Sequence, residues 1–392
     1  MSKLFADAVV IGGGVCGTAI TYYLSKAGLK PLLAEQGYLN SGASGACDEG
    51  IILISKNPGI AMDMAVKSAK LYKNLQNELS ADFSYQNVGG MILIDEEKYI
   101  PVIQSFVNRQ QKQGLNISML NQADTHRQQP GLSKKVVAGA FSKDDCSICP
   151  FKLTSAYVNT AQKLGAGILL HQSVTGIEIE KNYQKIASVT TAEHKIITPI
   201  VIDASGCSSA HIGKFVGLTV PVFPMRGQLV ITEKVPPLVV HQLMDAKYIA
   251  AKHQPQLMNK YSSNGNLNIG LTLGQAQTGN LIIGGCREKA DFNTDIAYLT
   301  IREIVKNAVS FLPILKDISI IRTFAGLRPS TPDNHPIISP TPISGFFIAS
   351  GMGGDGVSLS PVVGKIMAEL VVKNHCSIVD MEQLRLDRFC ME

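Results

Sequence analysis

Three glycines pose the first chemical question. Gly12, Gly14 and Gly17 stand in GxGxxG spacing, behind the apolar run DAVVI at residues 7–11 and ahead of a helical stretch that ends at Gly28. In a strand, tight turn and helix, the three glycines do different things. Gly12 permits the turn, Gly14 lets a pyrophosphate approach the backbone, and Gly17 lets helix and strand pack closely. Val15 and Cys16 open the helix, whose first N–H groups face the phosphates. A second apolar run, residues 31–34, ends in Glu35 with Gln36 beside it, 21 residues after Gly14, where a carboxylate can accept ribose hydroxyls. No Arg follows Glu35, which disfavours a ribose phosphate. The spacing predicts a dinucleotide site, with NAD and FAD both open.

Other residues carry chemistry with an ordinary reading beside it. The segment SGASGACDEG at residues 41–50 gathers Ser41, Gly42, Ser44, Gly45, Cys47 and Gly50 ahead of Ile51. It either lines a long flat cofactor with backbone or forms a polar surface loop. Near the other end, an apolar strand at 345–350 runs into a Gly-rich turn and a helix over 358–372, with Gly353, Gly354, Asp355, Gly356, Val357 and Ser358 at the junction. A helix N-terminus there suits negative charge, and the plain alternative is an α/β turn. Arg287, closing the apolar run GNLIIGGCRE, either faces a pocket as a cation for an additional carboxylate or sits outside paired with Glu288 or Asp291. Cys146 and Cys149 make a CxxC, half of a metal or Fe–S site, but no second CxxC exists, so they read as thiols ahead of a helix starting at Pro150 and no metal is expected. His211, His241, His253 and His335 each stand alone, and none is assigned as a base.

The elements that must position these residues are those of an ordinary globular chain. Its 392 residues are 45% hydrophobic and only 17% charged, which excludes a disordered protein and predicts two or three folding units with a large core or a buried interface. The net charge of +5 is spread without a basic block, so nucleic acid is not an expected partner. No apolar run reaches membrane-spanning length, no export signal is visible, and the eight cysteines are scattered, so a cytoplasmic chain with reduced thiols is expected. Between residues 222 and 293, alternating stretches such as QLVIT, LNIGLTL and NLIIGG separated by Asn/Gly turns predict antiparallel strands.

GGGVCG near the start, with AGLRPSTPDNHPII and ASGMGGDGVSLSP near the end, resembles the D-amino-acid-oxidase-like family of FAD-dependent amine oxidoreductases. Within it the chain is most similar to the branch of glycine oxidase, D-amino-acid dehydrogenase and the flavin subunits of opine and hydroxyproline dehydrogenases. VGGMILI, PFKLTSAYVNTAQKLGAGI, VIDASGCSS, PMRGQLVIT, GNLIIGGCRE and the terminal LRLDRF follow in the family's order, so the resemblance spans nearly the whole chain. It implies an α/β fold in which a Rossmann-like FAD-binding domain, residues 1–85, 145–220 and 322–392, carries a mainly antiparallel β substrate-binding domain, residues 86–144 and 221–321. It also implies that Val174, Ala204, Ser205 and Gly206 join the cofactor site, that Arg328 in GLRP binds the substrate α-carboxylate, and that Tyr248 adds its hydroxyl. Glycine oxidases have an Arg where Gly354 stands here, which puts glycine itself in doubt as substrate. The covalent sarcosine oxidases carry a Cys shortly before a TPD-like segment that AGLRPSTPD lacks, so noncovalent FAD is expected. The implied activity is oxidation of the C–N bond of an amino acid or N-substituted amino acid, with a partner subunit or quinone as acceptor. An oligomer or hetero-oligomer is expected, with contact at the inner face of the membrane if a quinone is used. The same residues leave open a flavoprotein oxidising a 2-hydroxy acid or glycerol phosphate, and an electron-relaying subunit.

Overall fold

The computed structural model describes residues 1–180, 184–253 and 268–389. Its central sheet has six strands in the order Ile337–Pro340, Phe346–Ser350, Val201–Asp203, Ala8–Ile11, Pro31–Ala34 and Gly167–Leu169. All pairs are parallel except the first, so the sheet gathers strands from both ends of the chain and from its middle. Ala8–Ile11 and Pro31–Ala34 are buried at every residue, as strands covered on both faces must be, which is why they read as apolar runs without alternation. The helix Val15–Lys26 follows the first strand, and the helix Gly356–Lys373 follows Phe346–Ser350. These helices pack against each other so closely that a Cβ on Gly364 would lie 2.6 Å from the Tyr23 ring and 2.9 Å from the Ala19 carbonyl. The helix Ile60–Leu79 packs on the other side of Gly356–Lys373, where the Tyr72 hydroxyl donates to the Val357 carbonyl.

The second large sheet has eight strands in the order Ile320–Ser330, Phe223–Lys234, Asn280–Lys289, Asn268–Gln275, Gln242–Asp245, Gly90–Ile94, Ala138–Ser142 and Ile117–Asn121. Every pair is antiparallel except Gln242–Asp245 with Gly90–Ile94. One face is covered by the helix Tyr298–Phe311, which buries Ile304, Ala308 and Phe311 against Leu271, Ile283 and Val230. The expected boundary at residue 322 falls inside the strand Ile320–Ser330, whose partner is Phe223–Lys234 over its whole length. The segment carrying Tyr248 differs from the sheet expected there: it is the helix Ala246–His253, started where the Asp245 carboxylate accepts the Tyr248 N–H at 2.6 Å. A four-stranded sheet of Ser2–Phe5, His194–Ile197, Lys185–Thr191 and Val174–Glu180 completes the architecture. Among the described residues, no helix is long and apolar enough to cross a membrane.

Candidate active site

Both Gly-rich turns and the inner face of the eight-stranded sheet line one cavity. Gly12 holds a φ of +113°, and a Cβ there would meet the Ala204 carbonyl oxygen at 2.5 Å, so only glycine makes this turn. A Cβ on Gly17 would stand 2.0 Å from the Gly12 carbonyl, so this glycine backs the turn from the helix side and does not line the cavity. Glu35 ends its strand with one carboxylate oxygen accepting Gly13 N–H at 2.6 Å and the other accepting Gly37 N–H at 2.7 Å, with Ser41 Oγ at 3.2 Å. The carboxylate is thereby fixed at the rim of the glycine turn. Neither helix is capped by the side chain of its own N-cap residue, Gly14 for Val15–Lys26 and Asp355 for Gly356–Lys373, and the first residues of both line the same space.

Of the cofactor residues expected from sequence, Gly12, Gly14, Val15, Cys16, Glu35, Gln36, Ser41, Gly42, Ser44, Cys47 and Gly50 line this cavity. So do Ala204, Ser205, Gly206, and the run from Gly353 through Gly354, Asp355, Gly356 and Val357 to Ser358. Gly45, Ile51 and Val174 do not. Gly45 is pressed against the Asn40 carbonyl, Ile51 is core and pairs with Cys146, and Val174 is buried at the start of its strand in the four-stranded sheet. The loop at 41–50 thus lines the cavity, and Ser44 Oγ accepts the Val15 N–H at 3.0 Å.

The substrate residues expected from sequence, Arg328, Tyr248 and Arg287, all face the same cavity. Their seats are glycines. A Cβ on Gly227 would lie 2.2 Å from Arg328 Nη1, and a Cβ on Gly270 would lie 2.5 Å from the Tyr248 Cβ. Arg328 donates from Nη1 to the Cys286 carbonyl at 3.2 Å, and its Nε lies near the turn before the last helix, 3.5 Å from where a Gly354 Cβ would be. Arg287 sets Nη2 3.5 Å from the Tyr248 hydroxyl, while its buried Nε has no partner. Its surface alternative is not what the structure holds, since Glu288 pairs instead with Arg226 at 2.8 Å.

Lys56 was not singled out by sequence. It lines the cavity with a side chain only 2% exposed and pairs with Asp355, the residue that opens the last helix. Its signal was a lone cation closing the run IILIS. Gly227, Gly270, Met244 and Thr272 also escaped, because their place depends on pairings between distant strands. Three thiols line the cavity, and burial pushes Cys16, Cys47 and Cys207 each up to about 12, so they stay protonated at neutral pH. Cys146 is buried with its thiol donating to the Tyr85 hydroxyl at 3.2 Å, and Cys149 precedes the helix Pro150–Lys163. Among the described residues no group of three His, Cys, Asp or Glu could hold a metal.

A glycine turn no side chain can enter, an acid fixed at its rim and two helix ends that open into the cavity fit a flavin dinucleotide. The model of the DAO family, described as FAD dependent oxidoreductase, matches residues 7–370. The chain belongs to that family. Glycine oxidase of Bacillus licheniformis is 27% identical over 97% of both chains, and the hydrogen cyanide synthase subunit HcnC of Pseudomonas aeruginosa is 24% identical over 93% of this chain and 92% of its own. The L-proline dehydrogenase structure from P. horikoshii superposes with a TM-score of 0.88 at 26% identity, covering 99% of this chain and 98% of that one. This member of the DAO family is an FAD-dependent oxidoreductase with an α/β fold, and Gly12, Gly14, Glu35 and the two helix ends are the groups that fit its cofactor.

Proposed function

We propose that the chain oxidises the C–N bond of an amino acid or N-substituted amino acid, and that its electrons leave through a partner protein or a quinone. The observation that carries this reading is Arg328, a guanidinium in the cavity beside the glycine turn of the last helix. Five N–H donors in a rigid fork match a carboxylate, and one of them is already spent on the Cys286 carbonyl, which fixes the plane of the fork. Bound there by its carboxylate, with the Tyr248 hydroxyl alongside, an amino acid presents its amine-bearing carbon to the cavity between the two helix ends. FAD, when bound, accepts the hydride that this carbon gives up, and the imine left on the substrate hydrolyses in water. The chain's own part is to bind, orient and exclude water, and no histidine among those lining the cavity is needed as a base.

In the same reading, residues 1–85, 145–220 and 322–392 hold the cofactor and residues 86–144 and 221–321 the substrate, except that the strand Ile320–Ser330, which carries Arg328, belongs to the sheet on the substrate side. FAD is bound without a covalent link, a reading supported by AGLRPSTPD, which has no Cys where the covalent sarcosine oxidases carry one. The test is an anaerobic absorbance spectrum of the purified protein before and after amino acids, N-alkyl amino acids and 2-hydroxy acids, followed by air. Bleaching by an amine with release of ammonia or a primary amine is expected, and slow recolouring in air follows if the acceptor is a partner or quinone. Bleaching by 2-hydroxy acids alone, or by nothing, overturns the reading. Acid precipitation should leave the yellow colour in solution, and colour in the pellet would overturn the noncovalent assignment.

A further inference from the structure

Two guanidiniums face the cavity, and the charges around them are unequal. Arg226 points to the opposite face of its strand and is matched by Glu288 at 2.8 Å. Lys56 is matched by Asp355, and the Glu35 carboxylate is occupied by the Gly13 and Gly37 N–H groups. Asp48, the remaining acid of the lining, sits in the loop at 41–50 with the cofactor glycines. Neither Arg328 nor Arg287 has a carboxylate within ion-pair distance among the described residues, and Asp355 reaches Arg287 only as a longer-range charge.

The sheet register brings the two arginines to one spot. Arg226 pairs with Glu288, so the next step sets Arg287 beside Gly227, the glycine over which the Arg328 guanidinium lies. They stand on strands flanking Phe223–Lys234 and share its cavity face. Arg287 rests against the Tyr248 ring, 5.9 Å from its centroid, with Nη2 at 3.5 Å from the hydroxyl and an enclosed Nε that has no acceptor. An enclosed cation with an unused donor is costly unless a ligand brings the missing anion.

We infer that the substrate is an amino acid carrying a second carboxylate on a short spacer, Arg328 taking one acid and Arg287 the other. This rests on the amine-oxidising reading above. Arg328 lays its guanidinium over Gly227, on the strand next to that of Arg287, and neighbouring strands lie about 5 Å apart, so N-carboxyalkyl amino acids and amino dicarboxylates have the right reach. Lone monocarboxylates leave Arg287 unpaired.

The test uses the FAD-loaded protein and two unreactive probes that differ by one carboxylate, oxydiacetate and methoxyacetate, titrated by the perturbation of the flavin spectrum. Oxydiacetate is expected to bind about 30-fold or more tighter. In Arg287→Met the ratio between the probes should collapse toward one, and Arg287→Lys should recover part of it. The kinetic counterpart is kcat/KM for iminodiacetate against sarcosine, whose ratio should fall in Arg287→Met by about tenfold or more. Equal binding of both probes by the unaltered protein overturns the inference, as does an Arg287→Met variant that weakens both probes alike, which would make both arginines a clamp on one carboxylate. An Arg287-dependent advantage for oxydiacetate, with no amine bleaching the flavin, would keep the two-anion pocket and overturn the amine reading.

Discussion

Glu35 acts through its carboxylate rather than through bulk. It holds the glycine turn by accepting Gly13 and Gly37 N–H and leaves the Ser41 hydroxyl at its side, so loss of the carboxylate frees the turn and, on the proposed cofactor reading, takes away the group that would accept the ribose hydroxyls. Glu35→Ala should therefore weaken FAD binding by about tenfold to a hundredfold, one to two charge-assisted hydrogen bonds' worth. The flavin-to-protein absorbance ratio after gel filtration checks it, and full retention of FAD would argue that the fixed turn alone suffices. At Gly227 the reasoning is steric. A methyl group there would stand 2.2 Å from Arg328 Nη1, so Gly227→Ala should displace the guanidinium and raise KM for a carboxylate substrate well over tenfold, with the melting temperature lowered by only a few degrees. An unchanged KM would mean that Arg328 does not hold substrate from its present place. The glycine turn and the acid fixed at its rim were legible in the sequence because Gly12, Gly13 and Glu35 lie within one short continuous segment. Gly227 was not, because its reason for being glycine is an arginine a hundred residues away in the chain.

At the level of elements, the segment that carries Lys56 is anchored by a buried acid. Asp145 accepts the Ile54 N–H at 3.2 Å, just before the strand Cys146–Ser147 that pairs with Gly50–Ile51. Burial pushes its carboxyl up to about 7, against the opposing pull of that N–H and of the nearby Lys56 charge. A carboxyl whose pKa is raised in the folded state contributes stability below its unfolded value near 4, and loses it as the pH rises through about 7. In that window the folded chain holds a proton that the unfolded chain has released, so this group lowers stability by up to about 1.4 kcal/mol per pH unit. Asp145→Asn should remove this slope. Melting curves from pH 4.5 to 8 would test it, and identical pH dependence in the two proteins would sink the assignment. The CxxC that follows Asp145 drew attention by spacing. What it positions is a buried thiol on the Tyr85 hydroxyl and the entry to the helix Pro150–Lys163. Spacing reports which residues are near in sequence. It does not report which are enclosed.

Over the whole molecule, the first and last long helices are separated by most of the chain yet open into one cavity, and what keeps their ends together is their packing. The α/β class and a dinucleotide site could be read from the two ends, since each carries its own strand, glycine turn and helix within a short run, while FAD rather than NAD followed only from the family resemblance. Arg328 and Tyr248 could be placed in the site only through family resemblance, and Arg287 only as one of two alternatives, because their meeting depends on a strand order in which residues 320–330 lie beside 223–234 and 280–289 on its other edge. The contact that joins the ends is at Gly364, where a Cβ would meet the Tyr23 ring at 2.6 Å and the Ala19 backbone at 2.9 Å. Backbone cannot give way as a flexible side chain can, so Gly364→Ala must push the helices apart. The expected cost is about 1–3 kcal/mol of stability. Because both helix N-termini face the cofactor cavity, the same shift should loosen FAD, and melting temperature and FAD affinity should fall together. A variant that melts lower but keeps its FAD affinity would show that the cofactor holds the two helix ends in place by itself, without help from the packing behind them.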